Sequence, residues 1–283
     1  MPAPTNASDT FDIGDELTVH RLGFGAMRLC GPEIIGSPDD EENARDVLRR
    51  ADELGVDFID TADSYGPGTS ERLIGEALDV DRDDLVVATK AGLLRNESGD
   101  WIPHGDPDYV RNQVLTSLDR LRTDQLDLYQ YHRPDPDTDF EETVTTFGEL
   151  KDDGLVKHVG LSNVSVEQLE TARDHIEVAT VQNNYNLENR EHEAVLEACE
   201  DADIGFIPYF PIAAGGFDEK TDVVQGVADA HDVSPYQVAL AWLLQTSDVT
   251  LPIPGTSSID HLEENVAASQ LELTADELTR LGE

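Results

Sequence analysis

The chain has 283 residues, enough for one substantial core and a natural size for an α/β barrel. Asp and Glu number 60 against 19 for Lys and Arg, a net charge of -41, which excludes the basic footprint that nucleic-acid binding needs. No apolar run approaches the ~20 residues that span a bilayer, and Met1-Pro-Ala-Pro-Thr-Asn-Ala-Ser8 has no basic stretch followed by an apolar one, so a cytoplasmic protein without membrane contact is expected.

Apolar strand-like runs alternate with amphipathic helical patterns from about Leu22 to Ala268. The first strand is expected over Leu22–Met27. A helix follows, because Ala44, Val47, Leu48, Ala51 and Leu54 recur at helical spacing and Gly55 then stops the pattern. Further strands are expected at Phe58–Asp60, Leu85–Thr89, Leu126–Tyr131, Val156–Leu161, Ala179–Val181, Gly205–Pro208 and Thr250–Ile253. Tyr109–Leu121 and Thr143–Leu150 carry helical periodicity, and Ser165-Val-Glu-Gln168 and Thr274-Ala-Asp-Glu277 fit capping boxes. Eight alternating strand and helix units predict a single domain over residues 1–283, a (β/α)8 TIM barrel of the α/β class. An open doubly wound sheet is the alternative, but it favours a Gly-x-Gly-x-x-Gly turn after the first strand, and Gly23-Phe-Gly-Ala-Met-Arg28 is not that turn.

The acids lie along every expected helix and form no tail, while lysine occurs only at Lys90, Lys151, Lys157 and Lys220. Such an acidic surface repels itself in dilute buffer and is screened in brine, where the Debye length falls to ~3 Å at 1 M. A protein adapted to a salt-rich cytoplasm is expected. Cys30 and Cys199 share no metal-like or redox-like spacing, and no metal site is expected.

Four polar residues sit at or just past strand ends: Asp60, then Tyr65 in Asp60-Thr-Ala-Asp-Ser-Tyr-Gly66, Lys90, and His132. In a parallel α/β barrel those ends meet on one face, where chemistry is placed. A phenol needs its pKa of ~10 lowered to act as an acid near neutrality, and an ammonium does this. Lys90 is placed to tune Tyr65, Asp60 to anchor Lys90, and His132 to polarise a carbonyl oxygen. The loops Ala91–Asp108 and Arg133–Asp139 are long and follow strands on the same face, so they are expected to shape a pocket, with Trp101 in its wall.

This order of Asp, Tyr, Lys and His strongly resembles the aldo-keto reductase family. Within it, Leu22-Gly-Phe-Gly-Ala-Met-Arg-Leu29 and Ile253-Pro-Gly-Thr-Ser-Ser-Ile-Asp-His-Leu-Glu-Glu-Asn265 look like the pyridoxal-reductase-like bacterial members. The resemblance implies reversible reduction of a small aldehyde or ketone, with NADP(H) preferred and NAD(H) possible. It implies cofactor contacts at Gly25, Ala26 and Met27, with Ser162, Asn163 and Gln182 on the nicotinamide carboxamide and Tyr209 stacked on its ring. It also implies Gly255, Thr256, Ser257, Ser258 and His261 around the adenosine phosphate, and Glu264 and Asn265 at the adenine end. Many NADP-preferring relatives carry arginine where this chain has His261, which brings a full charge only when protonated. The long C-terminal loop of many relatives is absent, implying a more open pocket. Two other classes compete: a nucleotide-binding regulatory subunit, like the β subunits of potassium channels, and a barrel hydrolase using paired carboxylates. The intact tetrad argues against the first, and the lack of strand-end acids beyond Asp60 argues against the second.

Overall fold

A hairpin precedes the barrel: β1 (Thr10–Ile13) pairs antiparallel with β2 (Leu17–His20). Gly14 and Asp15 between them both have positive φ, 60° and 59°, the pattern that suits a tight turn between right-twisted strands. The computed structural model describes residues 3–212 and 221–282; Lys220 and Glu283 lie outside them.

The main sheet begins with β3 (Phe24–Gly25), β4 (Phe58–Asp60) and β5 (Val86–Ala91). A separate antiparallel hairpin follows, β6 (Leu93–Arg95) with β7 (Trp101–Pro103). The sheet resumes with β8 (Leu126–Tyr131), β9 (Val156–Ser162), β10 (Val178–Asn184) and β11 (Gly205–Tyr209). These seven strands are parallel, in the order β11-β10-β9-β8-β5-β4-β3.

Segment 249–254 closes the sheet into a barrel. On one side Phe206 N–H donates to Val249 and Leu251 N–H to Phe206, both at 2.8 Å. On the other, Gly23 and Gly25 donate to the carbonyls of Pro252 and Pro254 at 3.0 and 3.2 Å. Pro252 and Pro254 have no N–H to return, so the eighth strand expected over Thr250–Ile253 is a bridge at Phe206–Thr250 plus a one-way ladder. The architecture is the expected (β/α)8 barrel.

The helices are α1 (Glu41–Glu53), α2 (Thr69–Ala77), α3 (Pro107–Leu121), α4 (Phe140–Asp152) and α5 (Val166–Arg173). They continue as α6 (Glu193–Ala202), α7 (Thr221–His231), α8 (Pro235–Thr246), α9 (Ile259–Ala267) and α10 (Ala275–Gly282). Their starts are chemically marked. Asp40, Asp106 and Asp139 accept the N–H of Asn43, Tyr109 and Glu142, and both expected capping boxes form. The apolar stripe of α1, Ala44, Val47, Leu48 and Ala51, is buried against the sheet. Full burial of Val47 and Leu48 contributes about 1.5–3 kcal/mol each.

Two cores result. Ile13 and Val19 of the hairpin plug the barrel interior against Phe58, Val86, Leu128, Ile207 and Leu251. The larger core lies between strands and helices. The plug fills one end, so the other end stays open at the strand C-termini. The first strand is shorter than Leu22–Met27, because Ala26–Leu29 winds into a 3-10 turn. That turn aims Met27 and Arg28 at the open end.

Candidate active site

Several barrel strands deliver a polar side chain to the open end, because parallel strands bring their C-terminal ends to one face. Asp60 ends β4, Lys90 lies one residue before the end of β5, and His132 follows β8. Tyr65 sits in the turn between β4 and α2, where Gly66 and Gly68 take φ of 65° and 85°.

A cavity of about 500 Å³ occupies this end. Asp60, Tyr65, Trp101 and His132 line it, with Gly25, Met27, Ser162, Asn163, Gln182, Tyr209 and Gly255. Lys90 is fully buried beneath the wall. Its Nζ donates to both oxygens of Asp60, at 2.8 and 2.7 Å, and to the Thr61 carbonyl at 2.7 Å. It lies 5.3 Å from the Tyr65 ring centroid. Gln182 Nε2 adds a 2.8 Å bond to Asp60 Oδ1, so that carboxylate is held from three elements. The Tyr65 ring stands edge-on to His132 at 5.8 Å and to Trp101 at 6.3 Å.

Among the described residues neither the Tyr65 hydroxyl nor His132 Nε2 has a protein hydrogen-bond partner. Burial, then the charges of Lys90 and Arg133, push the His132 pKa well below the imidazole range. The ring is neutral, and Ser64 Oγ lies 3.4 Å from Nδ1. In the tautomer where Ser64 donates to Nδ1, the ring proton is on Nε2 and the side chain is a hydrogen-bond donor to the cavity.

Tyr65 departs from expectation. Its pKa is pushed well above the ordinary phenol value, first by burial and then by the Asp60 charge. The upward push of burial and the Asp60 charge outweighs the pull of the Lys90 ammonium 5.3 Å from the ring. The phenol is protonated throughout the neutral range. The Lys90 ammonium is itself pulled down by burial and supported by Asp60.

Ser162, Asn163, Gln182 and Tyr209 form one hydrogen-bonded rim. Asn163 adopts φ 60°, a left-handed geometry that asparagine tolerates. From it, Asn163 Nδ2 reaches the His132 carbonyl at 2.9 Å and Ser162 Oγ at 3.0 Å. Tyr209 OH donates to Asn163 Oδ1 at 2.8 Å, which fixes the Tyr209 ring. Gly25 and Gly255 meet backbone to backbone, since a Cβ on Gly255 would lie 2.5 Å from the Gly25 carbonyl oxygen.

The remaining expected contacts lie off the cavity wall. Ala26 is buried behind it, with its carbonyl accepting from Ser70 Oγ at 3.3 Å. Thr256 Oγ1 accepts the Ser258 N–H, and Ser258 Oγ caps α9 at His261 N–H. Ser257 and His261 are exposed, Glu264 is half-buried and Asn265 buried. The sequence reading passed over Arg28 and Arg133, which also line the cavity. Arginine at two strand ends of an acid-rich chain was the available signal. It also passed over Arg95, which stacks 3.6 Å from the Trp101 ring and donates to the carbonyls of Glu33, Ile34 and Gly99. Trp101 is thereby held in the wall though 37% exposed.

Residues 21–283 match the profile of the Aldo/keto reductase family. The chain is 44% identical over 274 residues to an uncharacterized oxidoreductase of Schizosaccharomyces pombe, covering 97% of this chain and 89% of that protein. It is 41% identical over 283 residues to pyridoxine 4-dehydrogenase of Escherichia coli, covering 97% and 98%. An aldo-keto reductase from Klebsiella pneumoniae, solved in complex with NADPH, superposes with a TM-score of 0.82 at 27% identity, covering 97% of this chain and 94% of that one.

Proposed function

The chain belongs to the aldo/keto reductase family, and on that premise we propose that residues 1–283 form one domain that reversibly reduces an aldehyde or ketone to the alcohol. NADP(H) is the preferred cofactor and NAD(H) a second one, and the setting is a salt-rich cytoplasm. The observation that carries the reading is the pairing of two open groups, Tyr65 OH and His132 Nε2, above the buried Lys90–Asp60 pair in one cavity.

The residues fit a dinucleotide. Ser162, Asn163 and Gln182 offer donors and acceptors to a planar amide, as the resemblance implies. The first-turn N–H groups of α9 and the Arg28 guanidinium on the neighbouring wall suit phosphate oxygens. Solved relatives contain NADPH or NADP.

Bound NADPH supplies the hydride for the carbonyl carbon. His132, neutral, donates a hydrogen bond that orients and polarises the carbonyl oxygen. Tyr65, held protonated, transfers its proton to that oxygen as negative charge develops. Lys90 stabilises the phenolate left behind, and Asp60 keeps the ammonium charged and aimed. Tyr65 and His132 are the catalytic residues; Lys90 and Asp60 act through Tyr65 as positioning residues.

The test is purified protein with NADPH and 4-nitrobenzaldehyde in molar potassium chloride, followed at the nicotinamide absorbance. Carbonyl-dependent loss of absorbance is expected. Cofactor binding without turnover of a panel of aldehydes and ketones would return the regulatory-subunit reading.

A further inference from the structure

In a chain with 60 acids and 19 bases, a base without a partner is conspicuous. Every other described lysine and arginine has a carboxylate within 3.9 Å or donates to backbone carbonyls. Among the described residues only Arg28 and Arg133 have neither, and both line the catalytic cavity. Surplus acids elsewhere have neutralised nearly every other cation, so these two guanidinium groups lie where no described carboxylate comes within ion-pair distance.

Their places differ. Arg28 lies beside Gly255, with its Cγ 3.7 Å from the position of a Cβ there, on the side of the proposed cofactor phosphates. Arg133 follows His132 directly, three strands further around the barrel. Beyond the dominant effect of burial, the Arg133 charge pulls down the Tyr209 phenol and, with Lys90, the His132 imidazole. The free guanidinium therefore sits near the group that polarises the carbonyl oxygen.

A guanidinium fork matches the two oxygens of a carboxylate or the oxygens of a phosphate. We propose that Arg133 receives an oxyanion carried by the carbonyl substrate, so that this cavity selects aldehydes and ketones bearing a carboxylate or a phosphate. The assignment rests on the reductase reading above. Trp101, Leu93 and Ile34 line the same cavity and offer apolar surface to a carbon skeleton. The same arrangement overcomes the long-range repulsion that a net charge of -41 imposes on an anionic substrate, because screening removes the distant field and leaves the contact pair.

The experiment compares kcat/KM for two matched pairs, 4-carboxybenzaldehyde with methyl 4-formylbenzoate, and glyceraldehyde 3-phosphate with glyceraldehyde. Wild type prefers the anionic member of at least one pair. Arg133→Gln lowers that preference ratio roughly 10- to 100-fold, the range of a charge-assisted hydrogen-bond pair, and Arg133→Lys restores part of it. The pair that responds identifies the oxyanion. A ratio unmoved in both pairs, or moved equally by Arg28→Gln, overturns the assignment to Arg133. Titration calorimetry of the same compounds onto the NADP-loaded protein needs no turnover. If wild type reduces none of them, the reductase reading fails, while an affinity preference for the anions that disappears in Arg133→Gln still upholds the oxyanion site and its absence rejects it.

Discussion

Lys90 Nζ contacts both oxygens of Asp60, at 2.8 and 2.7 Å, with Lys90 fully buried and Asp60 2% exposed. Removing one partner from such a pair strands a charge in the interior, at a cost of about 3–5 kcal/mol. Lys90→Met and Asp60→Leu should each lower unfolding stability by that order in urea titrations. The double variant should lose less than the two single losses added, because neither charge is then stranded. Additive losses would remove the pair from the core of the fold.

Tyr65→Phe deletes the proton donor and leaves the rim of Ser162, Asn163 and Gln182 in place. Turnover should fall ~100- to 10,000-fold, with NADPH affinity within a few-fold of wild type. The readouts are steady-state kcat and cofactor quenching of tryptophan fluorescence. Half of wild-type turnover surviving in the variant would take Tyr65 out of the mechanism.

Asp63 is buried between Tyr109 OH at 2.9 Å and Gln113 Nε2 at 3.2 Å, and its Oδ1 has no partner among the described residues. Burial, then the nearby Glu71 charge, push its pKa from 3.8 up to about 8. A carboxyl raised in the folded state gives stability that is complete below pH 3.8 and lost as pH rises through about 8. The loss is at most about 1.4 kcal/mol per pH unit. His132 acts in the opposite sense, since its depressed pKa gives stability that grows as pH rises toward 6.5 and is complete above it. The difference between wild type and Asp63→Asn isolates the carboxyl: it should shift in favour of the variant from pH 5 to 8. Parallel stability curves for the two proteins would contradict this.

His261 is exposed on the first turn of α9. His261→Arg should raise the preference for NADPH over NADH, because a bidentate fork then meets the 2′-phosphate. The ratio of KM values for the two cofactors reads it. An unchanged ratio would put the 2′-phosphate elsewhere.

The net charge of -41 predicts salt dependence. Screening relieves repulsion between surface carboxylates and leaves the apolar core unaltered. The Tm should rise by several degrees between dilute buffer and 2 M potassium chloride. A flat Tm would reject adaptation to brine.

Much of the candidate site was legible because strand ends are local features. Asp60, Lys90 and His132 each end or flank an apolar run, and parallel strands bring such ends to one face whatever the loops do. The two hairpins were not. Ile13-Gly14-Asp15-Glu16 and Asn96-Glu-Ser-Gly99 are turn signals, but the strands beside them span only four and three residues, too short for a clear alternation. The eighth strand was placed in sequence by its apolar residues, while its irregular ladder follows from Pro252 and Pro254 lying between two strands that both seek partners.

By itself the sequence determined the barrel, the order of the tetrad and the charge of the molecule, since periodicity, strand-end chemistry and composition are properties of neighbours along the chain. Only the tertiary structure decided how those groups behave. The Tyr65 pKa is pushed up because elements far apart in sequence exclude water from the phenol and bring the Asp60 charge near it. Among the described residues Arg28 and Arg133 have no carboxylate at ion-pair distance, while folding brings acids to nearly every other base. Electrostatic energy depends on distance and solvent in three dimensions, and neither is written in the spacing of residues.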